Sequence, residues 1–187
     1  MTSAPWPSVP PFMTDGVLPR GDHLATLSEL MQSHLVVGSV GSPATWDAPW
    51  RARLVGNLEI IVRQLWDVGI DQIYIDGSFV EAKDHPNDID GYFECDPRYL
   101  TSGQLERDLN ARDPYQSWSW DPARRQHDPN SGKGQLPMWF RYRVELYPHI
   151  GQPTGIVDRF GNQLQFPSAF RLSRRAYTPK GIIKIVR

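Results

Sequence analysis

The segment from residue 72 to residue 95 sets the tightest limit on what this chain can fold into. It opens on a β-rich run, Gln72-Ile73-Tyr74-Ile75, and closes on an alternating run over residues 88–95, so two strands are expected. The first run leads into Asp76-Gly77-Ser78-Phe79, and the second begins Asp88-Ile89-Asp90. Nine residues, 79–87, separate the Gly-Ser pair from the first aspartate. A chain with Gly-Ser where one strand ends and Asp-x-Asp where the next begins can bring a backbone turn beside a pair of carboxylates.

Side chains alternate along a strand, so Asp88 and Asp90 are expected on one face and Ile89 in the core. Two carboxylates on one face can share divalent ions, and their hard oxygens favour Mg²⁺ or Mn²⁺ over zinc. Two such ions about 3.5–4 Å apart stabilise both the attacking and the leaving oxygen in phosphoryl transfer. Gly77 lets the backbone come close to a phosphate, and the Ser78 hydroxyl with nearby amides can hold a triphosphate. Lys83 lies in the connection, where it can touch a phosphate. The competing reading is a polar turn, Asn87-Asp88, whose carboxylates cap a strand.

The rest of the chain supplies the frame. Residues 1–20 hold Pro5, Pro7, Pro10, Pro11 and Pro19 with several apolar residues, which predicts a strap lying on the domain surface. Thr26-Leu27-Ser28-Glu29 is a capping-box pattern and predicts a short helix to about residue 35. Trp50, Leu54, Leu58, Ile61, Leu65 and Val68 draw one apolar stripe, so residues 45–68 should form a long helix ending before Gly69. A helix is expected over 101–110, a long loop over 112–136, a third strand over 138–147 and a last strand over 181–186. Gly161-Asn162 marks a turn, within a hairpin if strands flank it.

At 187 residues the chain suits one domain. Its net charge of −1 gives no global pull toward nucleic acid or membrane, so any polyanion must meet a local patch. Residues 167–187 offer one: Arg171, Arg174, Arg175, Lys180, Lys184 and Arg187 stand there without an acidic residue. A second basic group, Arg124, Arg125, His127 and Lys133, lies near Trp118 and Trp120. It suits either a nucleic-acid contact or a solvated loop over packed tryptophans. His85 reads as a solvated loop histidine or a phosphate contact, and His127 and His149 lack zinc spacing. The lone Cys95 allows no intrachain disulfide and reads as a buried, inert thiol. No apolar run approaches the ~20 residues of a membrane helix. The N-terminus lacks the basic and apolar regions of a secretion signal, so a cytoplasmic protein is expected.

With Ile75-Asp76-Gly77-Ser78-Phe79 and Asn87-Asp88-Ile89-Asp90 the chain resembles the polymerase-beta-like nucleotidyltransferase superfamily, whose shared signature is Gly-Ser, a spacer, then Asp-x-Asp. Pro10-Pro11-Phe12, Gly16-Val17-Leu18-Pro19, His23-Leu24-Ala25-Thr26 and Thr178-Pro179-Lys180-Gly181-Ile182 are similar to a family of small nucleotidyltransferase-like bacterial and phage proteins. The resemblance implies an α/β (α+β) domain, a mixed β-sheet flanked by helices. It implies Mg²⁺-dependent transfer of a nucleoside monophosphate from a triphosphate, such as ATP, to a hydroxyl of RNA (tRNA among the acceptors) or of protein. It also implies kinship with toxin–antitoxin and phage-defence enzymes, with an antitoxin as a partner. The basic residues Arg171, Arg174, Arg175 and Lys180 are then the expected polyanion contacts.

Enzymes of that superfamily take a third acid from a later strand. In the run 140–147, alternation puts Arg141, Arg143, Glu145 and Tyr147 on one face and Phe140, Tyr142, Val144 and Leu146 on the other. Glu145 is therefore expected as third metal ligand and general base, with Asp158 as runner-up. The competing reading pairs Glu145 with Arg141 or Arg143. The alternative function is a catalytically silent nucleotide- or partner-binding module of the same fold.

Overall fold

A computed structural model describes residues 8–173 and 177–187. Strand β1 (Asp22–Thr26) comes first, and Thr26 ends it by capping helix α1 (Leu27–Gln32). The Thr26 hydroxyl accepts the Glu29 N–H at 3.1 Å, and the Glu29 carboxylate accepts the Thr26 N–H at 2.7 Å. That is the reciprocal capping box the sequence predicts. A second short helix, α2 (His34–Val37), follows. The long helix α3 (Ala48–Asp67) starts on Asp47, whose carboxylate accepts the Trp50 N–H at 2.9 Å. Pro49 sits in the first turn, where its missing N–H is not needed. Leu54, Leu58, Ile61 and Leu65 of the predicted stripe are fully buried, each contributing about 1.5–3 kcal/mol by leaving water.

The two central strands form as expected: β2 (Ile73–Asp76), then one 3₁₀ turn (Gly77–Val80), then β3 (Ile89–Glu94). The helix expected over 101–110 is two, α4 (Pro97–Thr101) and α5 (Gln104–Asn110), because Gly103 at φ +70° breaks the run. The expected loop over 112–136 carries a 3₁₀ turn (Pro122–Arg124) and a two-residue pairing of β4 (Gln126–His127) with β5 (Gly134–Gln135).

The third strand begins later than expected. Residues 137–142 form helix α6 (Pro137–Tyr142), and only then comes β6 (Val144–His149). Pro137 suits a first helical turn, and Met138, Trp139 and Tyr142 bury one side of it. Arg143, at φ +56°, ends the helix in a left-handed conformation. Gly161-Asn162 lies in the hairpin of β7 (Pro153–Val157) and β8 (Gln163–Gln165). Helix α7 (Phe166–Phe170) and strand β9 (Ile182–Val186) complete the described chain.

Five strands make one mixed sheet in the order β1-β9-β2-β3-β6. The β1–β9 and β3–β6 pairs are parallel; β9–β2 and β2–β3 are antiparallel. Strand alternation sorts the two faces. Ile73, Ile75, Ile89, Phe93, Val144, Leu146, Ile183 and Ile185 join the core that contains the α3 stripe. Tyr74, Tyr92 and Ile182 face the other way and pack with Phe170 and Phe166 of α7. The mixed sheet flanked by helices is thus the observed architecture. Val9, Val17 and Leu18 of the proline-rich strap are buried, and the Gly16 carbonyl accepts the Ala82 N–H at 2.8 Å. Among the described residues no helix is long and apolar enough to cross a membrane.

Candidate functional site

Three acidic residues stand in one register across three adjacent strands. Asp76 on β2 is the partner of Asp90 on β3, and Asp90 is the partner of Glu145 on β6. They continue the face of Tyr74, Tyr92 and Tyr147, opposite the α3 core.

Gly77 brings the backbone against this row. Its φ is +74°, and a Cβ there would lie 2.6 Å from Asp90 Oδ2 and 3.0 Å from Asp90 Cβ. Any other residue would be both strained and driven into the carboxylate. Ser78 follows, half-buried in the 3₁₀ turn, and Lys83 lies further along the same connection. Asp88 stands just before β3. Its Oδ2 accepts the Trp139 indole N–H at 2.7 Å, and the next residue, Ile89, donates its N–H to the Arg143 carbonyl at 3.0 Å. Helix α6 and its left-handed end therefore set the start of β3. Ile89 is fully buried while Asp88 and Asp90 are half-buried, as the alternation predicts.

Asp76 belongs to the row although the sequence reading passed over it. Its signal was available: it precedes Gly77 and shares strand parity with Tyr74. The side chain is buried, with the Lys180 ammonium 3.1 Å from Oδ1, within ion-pair distance but off the hydrogen-bonding direction. Burial pushes Asp76 up to about 7, and Lys180 offsets only part of that. Lys180 also donates to Glu81 Oε1 at 2.6 Å. Burial works against its charge, but the Asp76 and Glu81 carboxylates outweigh it and hold Lys180 above the ordinary lysine value. Lys180, expected as a polyanion contact, is instead a buried counter-ion of the acidic row.

Glu145 is buried and held on both oxygens. Oε1 accepts the Leu136 N–H at 2.7 Å, and Oε2 accepts the Tyr147 hydroxyl at 2.6 Å. Its cationic neighbour is Arg125, 3.9 Å away, and not Arg141 or Arg143. Those two lie over aromatic rings, Arg141 on Tyr115 and Arg143 on Trp139. Burial first, and the Glu145 carboxylate second, push the Tyr147 phenol upward. Asp158 is bonded within the β7–β8 turn by Phe160 and Asn162.

The basic C-terminal stretch is partly committed elsewhere. Arg171 donates to Asp22 at 2.7 and 3.0 Å, to the Tyr92 hydroxyl at 3.1 Å and to the Pro167 carbonyl at 2.7 Å. Arg174 and Arg175 lie outside the described residues. Trp118 and Trp120 pack beneath the long loop beside Phe93, and their indoles donate to Gln64 and to the Leu146 carbonyl. Trp118 is fully buried core and Trp120 packs half-buried against it, as the reading of a loop over packed tryptophans expects. Burial pushes the Cys95 thiol up to about 11, as suits an inert position. His85 is not simply solvated: it stacks on Trp50 and its Nδ1 lies 2.9 Å from Asp47 Oδ2.

Among the described residues, no group of three or more His, Cys, Asp or Glu side chains is gathered closely enough to hold a metal ion. The donor types nonetheless suit a hard cation: carboxylate oxygens, with Asp90 beside a turn that only glycine can make and Asp88 two residues before Asp90 in the chain. The fold and site together describe an α/β protein with an acidic row beside a glycine-dependent turn. The chain belongs to DUF6932, a family of unknown function whose model matches residues 10–186. Comparisons with curated proteins and with solved structures give no match.

Proposed function

We propose that this protein is a Mg²⁺-dependent nucleotidyltransferase of the polymerase-beta-like class, acting on a hydroxyl of RNA or protein. The observation that carries this reading is the closeness of the Gly77 turn to Asp90, where an added Cβ would lie 2.6 Å from the carboxylate. It keeps the backbone of the turn close to a carboxylate, as a phosphate and a metal ion sharing one site would need. The Ser78 hydroxyl, nearby amides and Lys83 would hold the β- and γ-phosphates. Asp88 and Asp90 would hold Mg²⁺ or Mn²⁺, which when bound supplies charge neutralisation at the phosphates and polarises the oxygens that react. The acceptor hydroxyl oxygen attacks the α-phosphorus, the bond to the bridging α–β oxygen breaks, and pyrophosphate leaves. Glu145, in register with Asp90, would complete the metal site and take the hydroxyl proton once Tyr147 gives up its hydrogen bond. Toxin–antitoxin or phage-defence roles, a cytoplasmic site of action, an antitoxin partner and contact of Arg174 and Arg175 with RNA all rest on this reading.

A second reading, a silent nucleotide- or partner-binding module, is favoured by one specific set of contacts. Both Glu145 oxygens already accept hydrogen bonds, and Lys180 already meets Asp76. The two readings separate when the protein is incubated with each α-labelled ribonucleoside triphosphate, Mg²⁺ and total RNA. Label in RNA or in protein supports transfer. Triphosphate binding without labelled product supports the silent module. Neither binding nor label would sink both.

A further inference from the structure

A buried guanidinium grips the connection that begins with Gly77-Ser78. Arg51 lies near the start of α3 and has no exposed surface. Its Nη1 donates to the carbonyls of Leu35 at 2.6 Å and Phe79 at 2.8 Å. Its Nη2 donates to those of Glu81 at 3.1 Å and Lys83 at 2.5 Å. The guanidinium carbon stands 4.0 Å from the Trp46 ring centroid and 5.2 Å from that of Phe79. Burial pushes Arg51 down to about 10, with Asp84 countering, so it stays charged at neutral pH.

A buried charge is costly unless polar groups surround it, and an apolar side chain of similar volume could fill the space at no such cost. What an apolar residue cannot do is fix three carbonyls, of residues 79, 81 and 83, on one side of the chain. A planar fork with five donors can. Other bonds tie the same connection down: Ala82 N–H to the Gly16 carbonyl at 2.8 Å, Trp50 indole to the Pro86 carbonyl at 2.6 Å, and Asp47 N–H to the Asp84 carbonyl at 3.1 Å. The path from Phe79 to Pro86 is thereby bound to the start of α3 through Asp47, Trp50 and Arg51, and to the N-terminal strap through Gly16.

We propose that Arg51 is the positioning residue of the phosphate-binding turn: it fixes the orientation of Ser78 and the amides after it, and so the preference for triphosphate over monophosphate, without touching the nucleotide. The proposal rests on the nucleotide-binding reading above. Its test uses Arg51→Lys, which keeps the charge but loses the fork. Dissociation constants are measured with Mg²⁺ for ATP, GTP, CTP and UTP and for the matching monophosphates, at a temperature where circular dichroism shows the variant folded. A merely structural role lowers the folded fraction and weakens both ligands equally. A positioning role weakens the triphosphate at least tenfold and leaves the monophosphate within twofold. An unchanged ratio in folded Arg51→Lys overturns the proposal while leaving triphosphate binding by the parent intact. If that variant does not fold, Trp46→Phe, which thins the ring face against the guanidinium, should lower the same ratio several-fold, and no change there overturns the proposal. A parent that binds no triphosphate with Mg²⁺ removes the functional reading and this inference together.

Discussion

At Gly77 a backbone demand and a steric one coincide, and both are measurable. Gly77→Ala puts a Cβ at a φ of +74° and against the Asp90 carboxylate. The strain of the left-handed conformation alone costs about 1–3 kcal/mol. Urea unfolding should show a lower midpoint with an unchanged slope; a midpoint equal to the parent's would contradict the geometry. Asp76 gives a pH signature. Its pKa rises from 3.8 to about 7 on folding, so the native state holds the proton more tightly than the unfolded chain. The stability this lends is complete below about pH 4 and is lost as pH rises through about 7. The stability difference between the parent and Asp76→Asn should therefore fall across that window and level off above it. A difference independent of pH would show that Lys180 keeps Asp76 ionised throughout. Gly77, Ser78, Asp88 and Asp90 were legible in the sequence because spacing within one strand–turn–strand unit is local. The Asp76–Lys180 pair joins residues 104 positions apart, and no local pattern announces it.

Among the elements, α6 decides how the site is held. The run 138–147 reads as a strand because its aromatic and branched residues favour one, yet Pro137 and the burial of Met138, Trp139 and Tyr142 make its first half a helix. That helix brings the Trp139 indole to Asp88. Trp139→Phe removes the donor but keeps most of the packing. A hydrogen bond to a charged group contributes about 1.5–3 kcal/mol. The variant should lose stability in that range and bind Mg²⁺–triphosphate more weakly; calorimetric titration showing parental affinity would mean that Asp88 needs no orienting partner. The split also bears on the placement of Glu145. Its strand parity was readable from Val144, Glu145, Leu146 and Tyr147, but its partners were not, since Arg125 and Leu136 come from the long loop and the helix start. Strand β1 was missed because its pairing partner, β9, lies at the far end of the chain.

For the whole molecule, the last strand is structural and not peripheral. β9 lies between β1 and β2, so its loss would split the sheet and expose Ile182, Ile183 and Ile185. A chain ending at residue 177 should fail to give a cooperative thermal transition; a cooperative transition would show that β1 and β2 close the gap unaided. Several individual helices and strands were readable from periodicity, because apolar spacing reports which face is buried; that the strands form one mixed sheet was implied by the family resemblance. The sheet order was not, since it depends on pairings across the full length of the chain. The same sheet order gathers the acidic row, which β2, β3 and β6 contribute side by side. The central claim is that Asp88 and Asp90 hold a divalent ion with a triphosphate seated on the Gly77-Ser78 turn. Thermal unfolding of the parent and of the double variant Asp88→Asn, Asp90→Asn, each with ATP, GTP, CTP or UTP and Mg²⁺ or with chelator, tests it most directly. The account predicts a rise in the parent's midpoint with at least one triphosphate, only when metal is present, and no rise in the double variant. An equal rise in the double variant, or none in the parent with any triphosphate, would contradict it.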